Sequence, residues 1–386
     1  MSPSARTVLA VLGTRPDAVK MAPVVRALAG RPSEFAPVVL ATAQHRDMLD
    51  QVLEVFDLRP DYDLDIMTDR QSLADISVRT LARIDELLPR IAPDLVVVQG
   101  DAAPCFFGAL AAFYRQIPVA HVEAGLRTAD KYQPFPEEMY RRMVSSLADL
   151  HFPPTATARA NLEREGTPPE RILVTGNTVI DALLDVARRG VPPADPGLRG
   201  LLEAPGRRLL MTTHRRENWG EPQRRIFTAT RRLLDEFEDL ALIFPVHPNP
   251  VVAHPAQEIL GGHPRAHLFA PFDYTTVVAV MKSATLILTD SGGIQEEAPA
   301  LGRPVLVLRE TTERPEGIAA GTARLVGTDE SRIVAASREL LTDAGAYARM
   351  SRARNPYGDG HAAERIVGAL RHHFGFARNR PEEFQV

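Results

Sequence analysis

The chain has 386 residues, 45% of them apolar and 24% charged, with a formal net charge of −4. This is the balance of a globular protein of two or three domains, and it argues against a general nucleic-acid binder, which carries a basic excess or a basic face. No apolar run approaches the roughly 18 residues that cross a bilayer, and Cys105, the only cysteine, allows no intrachain disulfide. The N-terminal residues lead straight into an apolar run, so no signal peptide is expected and a cytoplasmic location is. Three of the 45 basic residues are lysines, namely Lys20, Lys131 and Lys282. In so arginine-rich a chain, a retained lysine marks a candidate position for a compact ammonium.

Continuously apolar, β-branched runs lie at 7–13, 36–42, 94–99, 118–123 and 171–175 in the first half. They recur at 208–213, 240–246, 284–289 and 304–308 in the second. Such runs, apolar throughout rather than alternating, fit parallel strands covered on both faces. Between them lie stretches with helical spacing, such as 18–28 and 226–237, and a last one at 362–374. The βαβα rhythm predicts an α/β fold of two Rossmann-like doubly wound domains. The Pro- and Gly-rich stretch 190–207 reads as a linker between domains at 1–189 and 208–361, and no internal sequence repeat is visible. In such folds ligands bind outside the carboxyl ends of the strands, so chemistry is expected in the loops that follow them, in the cleft between two facing domains.

The unusual residues stand in those loops. The first strand ends in Gly13-Thr14-Arg15-Pro16-Asp17, with Lys20 one turn on: backbone N–H groups and two cations that suit an anion. The Gly-Lys-Ser/Thr ending of a Walker loop is missing. Asp101 follows the third strand and reads either as a helix cap or as a site residue, whereas Glu123 after the fourth is a poor cap. Pro134-Phe135-Pro136-Glu137-Glu138 opens a helix with two acids that its dipole alone would favour. His214, flanked by Arg215 and Arg216, is expected to have a lowered pKa. Asp290-Ser291-Gly292-Gly293, with Glu296 and Glu297 a turn later, reads as a phosphate cradle with an acid for ribose hydroxyls. No metal site is expected: His263 and His267 are spaced as on a helix, but Pro264 lies between them. There is no G-x-G-x-x-G run for a dinucleotide.

Several segments together carry a family signature. They are GTRPDAVKMAP (13–23), TAQHRDMLDQV (42–52), HVEAGLRT (121–128), PFPEE (134–138), TGNTVIDALL (175–184), HRREN (214–218), LTDSGGIQEEAPALGRPVLVLRETTERPE (288–316) and NPYGDG (355–360). By these the chain closely resembles the bacterial non-hydrolysing UDP-N-acetylglucosamine 2-epimerases over essentially its full length. The resemblance implies the glycosyltransferase-B arrangement of two Rossmann-like domains, the C-terminal helix (362–386) joining the first and the second binding UDP. It implies reversible interconversion of UDP-GlcNAc and UDP-ManNAc through 2-acetamidoglucal, without a cofactor, usually in a homodimer. By matched position Asp101, Glu123 and Glu137 become the acid/base set, with His214 at the diphosphate or leaving oxygen. Arg15, Lys20, Phe272, Ser291, Gly292, Gly293, Glu297 and Arg314 become UDP or substrate contacts, and Gln44, His45 and Arg70 an allosteric UDP-GlcNAc site.

Three departures from the family's pattern bear on the sugar. Ala102-Ala103-Pro104-Cys105 replace a run of threonines, Tyr140 stands where an asparagine is usual, and Val277 where an aromatic often faces the uracil. A hydrolysing epimerase, a glycosyltransferase and a catalytically silent UDP-sugar sensor are the competing readings. The intact Gln44-His45-Arg46 and Arg70 favour the non-hydrolysing type.

Overall fold

The computed structural model describes residues 4–42, 46–67, 71–128 and 130–386, with no account of the side chains of 46–50. It divides into two compact units: residues up to Ala182 together with Gly358–Gln385, and Leu183–Tyr357. The chain passes from one to the other within helix α7 (Thr178–Arg189). The Pro- and Gly-rich stretch 190–207 contains a helix, α8 (Pro196–Glu203), capped by Asp195 on the Leu198 N–H, and lies in the second unit.

The first unit is a parallel sheet of β1 (Arg6–Leu12), β2 (Phe35–Ala41), β3 (Tyr62–Asp63), β4 (Leu95–Gln99), β5 (Val119–Val122) and β6 (Leu150–Phe152), in the order β3-β2-β1-β4-β5-β6. Helices α1 (Arg15–Ala29), α2 (Arg46–Val55), α3 (Leu73–Ile91), α4 (Ala103–Tyr114), α5 (Glu137–Leu147) and α6 (Ala156–Arg164) connect the strands. Helix α16 (Ala362–His373) returns to pack on α1, tied by Arg371 to Glu34 at 2.7 and 2.9 Å and by Arg31 to Glu364 at 2.7 Å. Strand β4 is buried at every residue because helices cover both sheet faces, which is why its sequence is LVVVQ rather than alternating. Leu9, Val11, Val96 and Val98 join Ile84, Leu88, Ala109 and Ala112 in one core cluster.

The second unit repeats the plan. Its strands are β7 (Arg207–Thr212), β8 (Leu240–Pro245), β9 (Ala266–Phe269), β10 (Leu286–Thr289), β11 (Val305–Val307) and β12 (Ala323–Leu325), in the order β12-β11-β10-β7-β8-β9, all pairs parallel. Helices α9 (Glu221–Glu236), α10 (Pro250–Leu260), α11 (Tyr274–Ser283), α12 (Gly292–Glu297), α13 (Pro315–Ala319), α14 (Glu330–Thr342) and α15 (Ala344–Ser351) surround it. Numbered within its own unit, each sheet runs 3-2-1-4-5-6, so strand order reverses between β1 and β4 in the first and between β7 and β10 in the second. That reversal opens the crevice where α/β sheets bind ligands. The expected fold class of two Rossmann-like doubly wound units is the one observed.

One expected strand is absent. Residues 171–175 begin in a 3-10 turn and touch the sheet only through the His151–Ile172 bridge and bonds from Leu173 and Thr175 to His151 and Pro153. At the sheet's edge, beyond β6, an apolar run finds too few partners for a full ladder. No helix among the described residues is long and apolar enough to cross a membrane.

Candidate active site

In the first unit the reversal point gathers the residues singled out after β1, β4 and β5. At Gly13 the turn into α1 passes so close to α4 that a Cβ there would sit 2.3 Å from Pro104 Cγ. Asp17 folds back to accept the Thr14 N–H at 2.9 Å. Burial pushes its pKa up to about 6, against the pull of Thr14 and Lys20. Arg15, at the first turn of α1, is exposed.

Glu123 is buried, 8% exposed, and holds a left-handed backbone at φ 61°. An L-residue enters that region at a cost of about 1–2 kcal/mol, so the surroundings must hold it there. Its side chain supplies part of that hold. Lys20 Nζ donates to both oxygens at 2.6 and 2.7 Å, Gln99 Nε2 to Oε2 at 2.5 Å and Asn177 Nδ2 to Oε1 at 2.9 Å. Lys20, expected on a diphosphate, is thus paired with a carboxylate of its own unit.

Asp101 does not cap α4. The N-cap residue is Ala102, with no side-chain bond, and Asp101 instead receives the Nε and Nη2 groups of Arg141 from α5. Glu137 lies one turn before Arg141 on the same helix and is half-buried. Its neighbour Glu138, 0% exposed, takes the Arg142 guanidinium at 2.7 Å, Arg141 at 3.3 Å and the Thr128 N–H at 3.1 Å. Of the two acids opening α5, Glu138 is therefore the structural one. Cys105, in the place of a hydroxyl, donates its thiol to the Gly100 carbonyl at 3.3 Å. Tyr140 stacks on Phe106, centroids 5.3 Å apart, and lies edge-on to Phe107. His121 Nε2 meets the Gly100 carbonyl at 2.8 Å, and burial lowers its pKa to about 4, so the ring is neutral and donates.

In the second unit the corresponding point holds His214 and the Asp290 turn. Asp290, 0% exposed, accepts the backbone N–H groups of His214 (3.0 Å) and Arg215 (2.9 Å), Asn218 Nδ2 (3.1 Å) and His214 Nδ1 (3.1 Å). Burial alone would raise its pKa, but these donors, His214 foremost, bring it below the usual carboxylate range. The ring of His214 therefore answers to a buried anion, not only to its two flanking arginines. Its Nδ1–H is fixed on Asp290, leaving Nε2 outward on a side chain 43% exposed.

Ser291 begins α12, and its N–H is held by Thr289 Oγ1 at 3.0 Å. A Cβ on Gly292 would lie 3.9 Å from nitrogens of both Arg215 and Arg314, so two guanidinium groups face this glycine. Gly293 beside it is exposed. Arg314 Nε pairs with Glu296, while buried Glu297 accepts the Tyr274 hydroxyl at 3.3 Å. Phe272 is half-buried against Phe269, centroids 5.4 Å apart, and Val277 is half-buried on α11. Two cations and a buried acid thus surround a glycine turn, an arrangement suited to a phosphate and a polyol.

Residues Gln44, His45 and Arg70 lie outside the described residues. Among the described residues no cluster of His, Cys, Asp and Glu suits a metal ion. Sequence reasoning missed Gln99, Asn177, Arg141 and Tyr274, and the role of Asp290 in holding His214; each of the five holds a singled-out side chain. Asn177 and Asp290 stood inside quoted motifs, and Gln99 ends a strand otherwise apolar throughout, the one signal available for it.

Comparison with known proteins identifies the family. The family described as UDP-N-acetylglucosamine 2-epimerase matches residues 26–371. A Bacillus subtilis UDP-N-acetylglucosamine 2-epimerase is 52% identical over 377 residues, covering 98% of both chains. A crystal structure from Listeria monocytogenes is 47% identical with a TM-score of 0.93, covering 99% of this chain and 100% of that one. The Neisseria meningitidis UDP-GlcNAc 2-epimerase bound to UDP-GlcNAc is 43% identical with a TM-score of 0.83, covering 94% and 99%. The chain belongs to the UDP-N-acetylglucosamine 2-epimerase family.

Proposed function

We propose that the chain interconverts UDP-N-acetylglucosamine and UDP-N-acetylmannosamine without hydrolysis, by eliminating UDP to 2-acetamidoglucal and adding it back. One arrangement carries the reading. The first unit brings Asp101 and Glu123 to the ends of adjacent strands, with Lys20 on Glu123 and Arg141 on Asp101, and sets Glu137 one turn from Arg141. The Neisseria relative's binding of UDP-GlcNAc supports the choice of nucleotide sugar.

The chemistry asks for these groups. No carbonyl is attached to C2, so its hydrogen is not acidic until the C1–O bond begins to break. As that bond lengthens toward an oxocarbenium-like state, UDP takes the bonding pair. A carboxylate then removes the C2 proton, and the C–H pair becomes the C1=C2 bond. Return of a proton to the other face of C2, with attack of the UDP oxygen on C1, completes inversion. Hydrogen leaves and returns as a proton, so no electron carrier is required. Acids must serve both faces of C2, and cations must stabilise the departing diphosphate. Asp101, Glu123 and Glu137 are assigned to the sugar. Arg15, His214, Ser291, Gly292, Gly293 and Arg314 are assigned to the diphosphate, Glu297 to the ribose and Phe272 to the uracil side.

The test is an NMR time course with UDP-GlcNAc in D2O. Deuterium entering C2 of both UDP-GlcNAc and UDP-ManNAc is the expected result, and Asp101→Asn and Glu137→Gln should each slow it about a hundredfold or more. Free ManNAc with UDP would move the chain to the hydrolysing class.

A further inference from the structure

We infer that Glu123 works as a standing anion that anchors Lys20, with Gln99 and Asn177 as its positioning residues, and that proton exchange at C2 falls to Asp101 and Glu137. The inference rests on the epimerase reading and divides its three carboxylates by role.

The division follows from hydrogen-bond capacity. An ionised carboxylate offers about four lone-pair sites. Lys20 and Asn177 occupy Oε1 of Glu123, and Lys20 and Gln99 occupy Oε2. A proton arriving from carbon would have to displace one of these donors. Both amides are committed. Asn177, 3% exposed, is oriented by the Val179 N–H on its Oδ1, which turns Nδ2 to Glu123. Gln99, 2% exposed, gives Nε2 to Glu123 while its own Oε1 stays buried with no partner. A buried amide that leaves its acceptor idle has been oriented for its donor alone.

The other two acids differ. Asp101 takes Arg141 on Oδ2 only, and its side chain is 32% exposed. Glu137 is half-buried, and its carboxylate makes no hydrogen bond among the described residues. Each retains lone pairs for a proton. Glu123 holds Lys20 in place through both its oxygens, as a cation that can meet the negative charge of a departing diphosphate.

A double-mutant cycle tests this, with kcat and KM for UDP-GlcNAc and the deuterium distribution measured in D2O. If Glu123 acts through Lys20, Glu123→Gln costs about a hundredfold in kcat in the wild type but under about threefold in a Lys20→Met background. The same factor in both backgrounds would overturn the inference, since it means an independent role for Glu123. Gln99→Met keeps the shape and removes one donor. It should lower kcat about tenfold with KM within about twofold, leaving the split of deuterium between the two sugars as in the wild type. A changed split would make Glu123 a proton carrier and also overturn the inference. Should Gln99→Met fail to fold, the cycle decides alone, because Lys20→Met with Glu123→Gln replaces a buried ion pair by neutral side chains, a change cores tolerate. A wild type that exchanges no deuterium at all defeats the epimerase reading itself, and this inference with it.

Discussion

The two units use the same crevice of the same sheet order, yet hold their key carboxylates by different means. Asp290, after β10, is fixed by two backbone N–H groups, of His214 and Arg215, as well as by the side chains of Asn218 and His214. Glu123, after β5, is fixed by the side chains of Lys20, Gln99 and Asn177. Asp101, at the point equivalent to Asp290, depends on Arg141 alone. Backbone donors cannot swing away, so the second unit offers a pre-set cradle in which His214 has one tautomer and one orientation. The side-chain donors of the first unit are unequal: three commit Glu123 as a standing anion, whereas Asp101, held by Arg141 on one oxygen, keeps room for a proton to come and go. Rigid binding and exchangeable charge are divided between the two halves of one chain.

The contrast breaks first at Asp290. Asp290→Asn sets an amide N–H against backbone donors and frees the His214 ring. We expect kcat to fall at least about a hundredfold and stability to drop by about 3 kcal/mol, read by steady-state kinetics and urea unfolding. A loss confined to stability would show that the His214 orientation is not used.

Acid sharpens it next. His121 and His151 are buried, and burial lowers their pKa values to about 4 and about 3. Below about pH 6.5 the unfolded chain binds protons that the folded chain refuses, so each contributes stability that is lost as pH falls from 6.5 toward its folded pKa. For His121 the loss amounts to about 3 kcal/mol between pH 6.5 and 4. Asp17 and Asp181, both pushed up by burial to about 6, act oppositely: the folded chain holds their protons more tightly, which adds stability as pH falls through 6. The clean measurement is therefore a difference. Against His121→Asn, the wild type's advantage in unfolding free energy should shrink by about 3 kcal/mol over that range. A constant gap would refute the buried neutral ring.

Gly13→Ala is expected to be milder. The added Cβ would press on Pro104 at 2.3 and 2.7 Å and on Asp17 at 3.1 Å. Thermal unfolding should report a cost of about 1–3 kcal/mol, as for other overpacked sites. A neutral effect would mean that α4 can retreat from α1, and that the first unit's crevice is as yielding in its backbone as in its side chains.

Much of the fold was legible because buried parallel strands announce themselves as unbroken apolar runs; 94–99 against Leu95–Gln99 is typical. Strand β9, with partly exposed residues and a histidine, and β12, three residues at a sheet edge, carry no such run and were missed. The shared strand order of the two units was invisible too, since topology repeats without sequence repeating. For the site, the motifs led to the acids and glycines but not to the groups that hold them. Pairing Lys20 with Glu123 requires knowing that residues 103 positions apart meet, and no local spacing encodes that.

Tyr140 marks the smallest expected effect. It stands where the family has a small amide near the sugar, a departure that bears on the sugar's substituents. Its ring stacks on Phe106 at an interplanar angle of 10° and lies edge-on to Phe107. Helices α4 and α5 are thus tied by one phenol through aromatic packing. Tyr140→Asn should therefore leave kcat and KM for UDP-GlcNAc within about twofold while lowering stability by about 1 kcal/mol, the usual worth of an aromatic pair. A shifted KM with unchanged stability would reverse the assignment, returning Tyr140 to the sugar and making the first unit's crevice a determinant of which substituents the substrate carries.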